Sequence, residues 1–284
     1  MINWIKFSPL RLRDHDGSLE FSGPNFSRSK SSVLNIGGNK LSFRAPRHRS
    51  SSVESIYYKK NKEVLTTHFD HYGSGVTAND NWRYNVIFRR SWDYYRPWFC
   101  GAAGSLSLSV AILTRTEGKV FQGASFFHPR SFEYALTNFL HILYGFKHNS
   151  KGEALYQAPV NWKPCTKVPV VNTLFNIEPI NRKLIFAFPI SDTHIVHFGF
   201  SYTAAESEAE KQHMEKLAHD IIDSVKLELT PETQAKIDAV AKECGDMRLT
   251  ESFPPLKWPI KPEDIENPRN DQPLPEELGL FGEG

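Results

Sequence analysis

The sequence predicts an α+β protein: antiparallel sheets with amphipathic helices packed on their faces. Three observations lead there. Apolar residues alternate with a period of two over 82–94, 105–112 and 195–202. Helical periodicity is confined to separate blocks at 129–145, 206–227 and 231–244. Runs of strands are followed by helices, where an α/β chain would alternate them one by one.

The elements follow in chain order. Residues 22–52 hold nine serines among scattered Arg, Lys and Gly, the composition of a loop or insert. Inside it, Val33–Ile36 and Leu41–Phe43 flank Gly37-Gly38-Asn39, a hairpin signal because glycine supplies the positive φ of a tight turn. Residues 53–58 and 63–69 form a second candidate strand pair around Asn61. From Trp82 to Phe99, the even positions Trp82, Tyr84, Val86, Phe88, Trp92 and Tyr94 are apolar, which predicts one aromatic sheet face. The run is long for a strand, so a bend or bulge is expected before Pro97. Leu106, Leu108, Val110 and Ile112 alternate in the same way, and the Gly101–Gly104 turn makes the two runs an antiparallel pair.

Pro129 suits a first helical position, and Phe132, Leu136, Phe139, Leu140 and Leu143 then recur at helical spacing until Gly145. Lys183–Phe188 and Ile195–Tyr202 form a further strand pair around Ser191-Asp192-Thr193. Met214, Leu217, Ala218, Ile221, Ile222 and Val225 stripe the next helix, whose Glu206, Glu208 and Glu210 sit at its positive dipole end. Thr230 caps a last helix with Pro231 at its first position. These elements divide the chain into a basic, Ser-rich segment (1–52), an α+β core (53–228), and a capped helix with a Pro-rich acidic tail (229–284).

Composition narrows the class. With 284 residues, 40% hydrophobic and 23% charged, the chain is long enough for a substantial core and is not disordered as a whole. Its 20 Phe, 10 Tyr and 6 Trp suit wide sheet faces and binding surfaces. Lys6, Pro9 and Arg11 interrupt the N-terminus before a signal-peptide core forms, and no run is apolar enough to span a bilayer. Cys100, Cys165 and Cys244 are odd in number and share no metal spacing, so the expectation is buried thiols in a reducing compartment, the cytoplasm. The net charge of +2 hides a polarity: residues 1–100 carry 16 Lys+Arg against 8 Asp+Glu, while 228–284 carry 6 against 13. Either the acidic end covers the basic one, or one end faces a charged partner.

Catalytic motifs are absent. His68, Asp70 and His71 are weak metal candidates: in a loop they would surround one ion, but in a strand the two histidines point apart. His194 and His197 are likewise an odd step apart, which marks them as structural. Ser27-Arg28-Ser29-Lys30 matches SxxK without a capped helix to hold the pair. Gly73-Ser74-Gly75 falls short of a nucleophile elbow, Cys100 has no catalytic signature around it, and no phosphate-binding glycine loop occurs. No cofactor is implied. Arg83, Arg89, Arg90 and Arg96 interleave with aromatics, as in nucleic-acid binders. The alternation already assigns the rings to core, however, and places Arg83 and Arg89 on a solvated face. Arg90 falls on the aromatic face and should pair with a carboxylate, stack on Trp92 or Tyr94, or lie beyond the core's edge. Residues 253–262, Phe-Pro-Pro-Leu-Lys-Trp-Pro-Ile-Lys-Pro, read either as a polyproline-II ligand or as a strap docking Phe253, Leu256 and Trp258 on the protein itself.

The block Lys183–Leu227, a strand pair and then a long helix ending Ile221-Ile222-Asp223-Ser224-Val225-Lys226-Leu227, resembles the end of the PsbP-like α/β/α sandwich. That resemblance implies a terminal helix across an antiparallel sheet and a non-enzymatic binder. The superfamily includes photosystem accessory subunits and chaperones that load effectors into bacterial contact-dependent secretion machines. The wider layout resembles uncharacterised bacterial proteins of toxin–immunity and secretion loci. The chain is longer than one such domain, its proline-rich tail lies outside the pattern, and no functional residue carries over. The leading expectation is therefore a cytoplasmic protein-binding module whose partner is a toxin or secreted effector. Arg90, Trp92, Tyr94, Tyr95 and Trp98 are its candidate anchors. The alternatives are an enzyme of unrecognised type, hydrolytic or metal-dependent, and a nucleic-acid-binding protein. The sequence sets no oligomeric state.

Overall fold

The computed structural model describes residues 2–14, 20–50, 52–57, 75–76, 82–115, 123–144, 163–164, 168–177, 183–203 and 207–249. In chain order their elements are α1 (Ile2–Lys6), β1 (Lys30–Ile36), β2 (Asn39–Ala45), β3 (Ile56–Tyr57), β4 (Gly75–Val76), β5 (Trp82–Tyr95), β6 (Ala102–Arg115) and α2 (Pro129–Tyr144). There follow β7 (Lys163–Pro164), β8 (Thr173–Ile177), β9 (Lys183–Ser191), β10 (His194–Thr203), α3 (Glu208–Asp223), β11 (Lys226–Glu228) and α4 (Pro231–Cys244). The fold is α+β, as the periodicities predict.

The larger sheet runs β3-β5-β6-β10-β9-β8-β7, with β4 also paired to β5, and every pairing is antiparallel. Its centre is where the sequence alternates most cleanly. The even residues of β6 and β10, from Leu106 to Ile112 and from Val196 to Tyr202, bury against one face. Met214, Leu217, Ile221 and Ile222 of α3 cover that face together with Leu34, Ile36, Leu41 and Phe43 of a smaller sheet, β1-β2-β11. On the opposite face, Phe132, Ala135, Leu136 and Phe139 of α2 pack over Leu113, Ile185, Ala187 and Ile195. Apolar burial on both faces makes this sheet the centre of the molecule.

One expectation for β5 is corrected. Val86 pairs with Ala111 and Phe88 with Val110, so Ile87 is an extra residue opposite no partner. A bulge of one residue reverses which face each later side chain meets. Trp82 and Tyr84 accordingly join the α2 side, while Phe88, Trp92 and Tyr94 join the α3 side. The even-numbered rings therefore serve two cores. The irregularity expected before Pro97 is also present, as a register shift between Tyr94 and Tyr95.

The hairpin β1–β2 turns on Gly37 and Gly38, with φ of 57° and 78°, the left-handed region that glycine enters without a Cβ clash. Beside it, buried Asn39 ties distant segments together. Its Nδ2 donates to the Ile190 carbonyl at 3.4 Å, and its Oδ1 accepts from the Thr230 N–H at 2.9 Å. Leu34 of β1, Phe198 of β10 and Ile237 of α4 then share one apolar cluster. The basic N-terminal segment, the central region and the capped helix thus build a common core. α3 starts on a capping box in which Ser207 and Glu210 satisfy each other's backbone N–H. α4 starts on Thr230, whose hydroxyl accepts from the Thr233 N–H at 3.1 Å. Of the second candidate strand pair, residues 53–57 are described and are strand at Ile56–Tyr57, which pairs with β5, while residues 58, 63–69 and the proline-rich 253–262 lie outside the described residues.

Candidate functional site

The C-terminal end of β5 enters a tight turn that the rest of the fold pins down. Arg96 is buried there, its Nε donating to Glu210 Oε1 at 3.0 Å and its Nη2 to Oε2 at 3.3 Å. Glu210 is also the capping-box residue of α3, so one carboxylate locks the strand's end to the helix's start. The Arg96 N–H donates to the Gly101 carbonyl at 2.9 Å and closes the loop. Within it, Trp98 and Phe99 have φ of 55° and 68°. Two bulky residues in the left-handed region cost on the order of 1–2 kcal/mol each, and strain of that kind persists only where the surroundings enforce it.

The N-terminal segment is laid against this turn by main-chain bonds. The Trp98 N–H donates to the Lys6 carbonyl at 2.5 Å, the Leu12 N–H donates to the Phe99 carbonyl at 2.8 Å, and Arg11 bridges to Cys100. The Lys6 ammonium lies 5.8 Å from the Trp98 ring centre and pairs with Glu20. The result is a corner with large apolar side chains in water: Trp4 is 81% exposed, Leu12 72%, Leu10 57%, Ile5 45% and Trp98 43%. Among the described residues, Tyr57 is the sole other exposed large hydrophobic group. Exposed Arg11 and Arg13 border the patch.

The five anchor candidates do not form one surface. Trp92 and Tyr94 are fully buried, because the bulge at Ile87 turns them beneath α3. The Trp92 indole N–H donates to the Arg47 carbonyl at 2.8 Å, while burial drives the Tyr94 phenol pKa upward. Neither is accessible to a partner at the surface. Arg90 lies at the core's edge, donating to the carbonyls of Ala45 and Pro46 at 2.9 and 2.6 Å and stacking on Phe88 at 4.9 Å. Half-burial lowers its pKa. Of the three outcomes expected for it, the place at the core's edge is the one observed: its acceptors are two carbonyls at the end of β2 instead of a carboxylate, and the ring beneath it is Phe88 instead of Trp92 or Tyr94. Tyr95 is half-buried on the other face, bonded to Asp93 at 3.4 Å, with Arg49 at 5.6 Å from its ring. Burial first, then Asp93, raises its pKa. Trp98 alone presents a broad ring to solvent.

Trp4, Ile5, Leu10 and Leu12 complete the patch and were missed by sequence reading. Interrupted by Lys6, Pro9 and Arg11, they follow neither a helical nor a strand period. The signal available was an unusual density of large apolar residues in a segment with no amphipathic partner face.

Other chemistry is sparse. His68, Asp70 and His71 lie outside the described residues, and among the described residues no group of His, Cys, Asp and Glu is placed to hold a metal. Cys100 is buried and its Sγ donates to the Asp14 carbonyl at 3.2 Å. Ser27 sits in an exposed turn before β1, with its N–H donated to Asn25 Oδ1 at 2.8 Å. No described helix is long and apolar enough to cross a membrane. Compared with known protein families, curated proteins and solved structures, the chain matches none.

Proposed function

We propose that this chain is a non-enzymatic protein-binding module that acts in the cytoplasm as an immunity protein or effector chaperone of a bacterial contact-dependent secretion system. The observation that carries the reading is the exposure of Trp4, Ile5, Leu10 and Leu12 on an N-terminal segment that main-chain bonds hold against the turn bearing exposed Trp98. Apolar groups of this size collect at a monomer's surface where a partner covers them. Tryptophan is the strongest anchor type at interfaces, and the strained Trp98–Phe99 turn holds one ring ready without a further ordering cost. Lys6, Arg11 and Arg13 at the border favour a partner with an acidic rim. The secretion setting rests on the resemblance of 183–227 to PsbP-like chains.

The test is co-purification with the protein encoded next to this one in its native host. The expected result is a stable complex that Trp4→Ser/Trp98→Ser weakens by ~1000-fold, each ring contributing about 2 kcal/mol, while circular dichroism and melting stay unchanged. A complex indifferent to both substitutions, or no complex with any neighbouring product, overturns the reading.

A further inference from the structure

The β1–β2 hairpin carries uncompensated charge at one end. Near its turn, Lys40 is neutralised by Glu228 at 2.8 Å. At the other end, the register pairs Lys30 with Ala45 and Ser31 with Arg44, which brings two cations together, and Arg28 lies just ahead of β1. Arg47 and Arg49 follow β2, and Arg49 bridges in parallel to Trp92 of β5. All five residues are exposed. Arg44 and Arg49 lie over the rings of Phe26 and Tyr95 at 5.1 and 5.6 Å, contacts that hold a guanidinium without neutralising it. Among the described residues, none of the five has a carboxylate at ion-pair distance, and Glu54 is the single acidic residue from 28 to 57. Asp93 of β5, whose N–H donates to the Arg49 carbonyl, accepts from the Tyr95 hydroxyl. The same stretch borders a cavity of about 490 Å³ lined by His48, Ser50, Ser52, Val53, Glu54 and Ser55. The His48 Nδ1 accepts from the Ser91 N–H at 3.0 Å, so the neutral ring carries its own N–H on Nε2. Donors therefore predominate in the cavity as well.

Exposed like charges on one short stretch create a positive potential that a polyanion relieves. The chain supplies one: residues 263–283 hold seven Asp+Glu against Arg269 alone. They lie beyond Leu249, where the described residues end. Leu249 is buried in the same apolar cluster as Trp82. From Trp82 to Trp92, beside Arg49, β5 spans about 33 Å at the rise of a strand. The 14 residues from Leu249 to Glu263 reach up to ~50 Å, enough to cover that span and the ~10 Å to the next layer. Ion pairs at a surface are individually weak, so a free acidic peptide would be held poorly. A segment of the same chain acts at an effective concentration on the order of millimolar, which favours it over an outside partner.

We propose that the acidic segment 263–283 docks on the basic end of the hairpin, its carboxylates over Arg28, Lys30, Arg44, Arg47 and Arg49. This surface is distinct from the apolar corner, and its occupancy does not depend on the partner proposed there. The experiment is carbodiimide coupling of the full chain at low ionic strength, in a mixture of isotope-labelled and unlabelled molecules, read by mass spectrometry. The expected product is an amide between the Lys30 amine and a carboxylate of 263–283 in the same molecule. Its yield should exceed coupling of that segment to Lys216 or Lys236 by about tenfold, the advantage of a held geometry over chance encounter. Arg44→Gln/Arg47→Gln/Arg49→Gln leaves both reacting groups in place and should lower the yield by about tenfold through loss of the attracting charge. Sodium chloride at about 0.5 M should do the same to the wild type by screening, which keeps the test valid if the triple variant fails to fold. Coupling solely between labelled and unlabelled molecules identifies a second copy as the occupant and overturns the proposal. Equal coupling to Lys216, a yield indifferent to salt, or no coupling at Lys30 overturns it too.

Discussion

The two faces of the large sheet rest on the same strands and the same backbone bonds, yet they hold different chemistry. Toward α3, β6 and β10 present Leu106, Leu108, Val110, Ile112, Val196, Phe198, Phe200 and Tyr202, all buried. Toward α2, the intervening residues of those strands run from Leu113, Ala111 and Ile195 to Ser109, Ser107, Ser105, Gly199, Ser201 and Thr203. The first face is closed along its length by α3 and the smaller sheet. Among the described residues, the apolar closure by α2 lies at the end near Trp82, and half-buried hydroxyls follow beyond it. The difference teaches that, among the described residues, one face is apolar along both central strands while the other turns to hydroxyls away from Trp82. Stability should therefore be concentrated on the α3 side.

The comparison can be broken by substitution. Phe198 meets the rings of Phe43, Phe186 and Phe188 at 5.2, 5.9 and 6.3 Å, and Phe198→Ala should cost ~3–5 kcal/mol in urea unfolding. A loss below about 1 kcal/mol would show that the α3 face is not the cohesive one.

The next effect is a pH dependence on the α2 face. Burial, with Lys183 assisting, pulls the His197 pKa from 6.5 down to about 3. The folded state thus holds this ring neutral while the unfolded chain takes up a proton below pH 6.5. The contribution is full above pH 6.5 and is lost progressively as pH falls toward 3. Between pH 6.5 and 5 the loss attributable to His197 should approach 2 kcal/mol, at about 1.4 kcal/mol per unit. Comparing urea midpoints of the wild type and His197→Phe across that range isolates it: the variant's slope should be the shallower. Parallel slopes would remove His197 from the account.

Smaller still is Gly38→Ala in the β1–β2 turn. A φ of 78° and the Thr230 Cγ2 at 3.1 Å predict a loss of about 1–2 kcal/mol in thermal melts. Ser109→Ala, on the half-covered polar floor, should change stability by ~0.5 kcal/mol or less. A loss comparable to that of Phe198→Ala would erase the distinction between the faces.

Much of this was legible from local pattern. The α2 prediction from Pro129 to Gly145, the pair around Ser191–Thr193, the Gly37–Gly38 turn and the Thr230 cap all appear at or near their predicted bounds. Each rests on side-chain period or on a residue's own backbone preference, properties that neighbours in sequence suffice to express. Face assignment within β5 was not legible, since Ile87 breaks the alternation without interrupting the apolar run. Nor was the apolar corner: the segments that carry Trp4 and Trp98 are far apart in the chain and are joined by main-chain bonds, from Trp98 to Lys6 and from Leu12 to Phe99, that no side-chain pattern announces.

The amino-acid order by itself determined the α+β class, the strand pairs at the sheet's centre and the helix caps, because periodicity and capping act over a few residues. Tertiary structure decided which rings are core and which face water, where Arg90 finds its acceptors, and that His197 is buried without a hydrogen-bond partner. Those outcomes depend on register and on what a distant segment brings alongside, and a one-residue bulge is enough to reverse them.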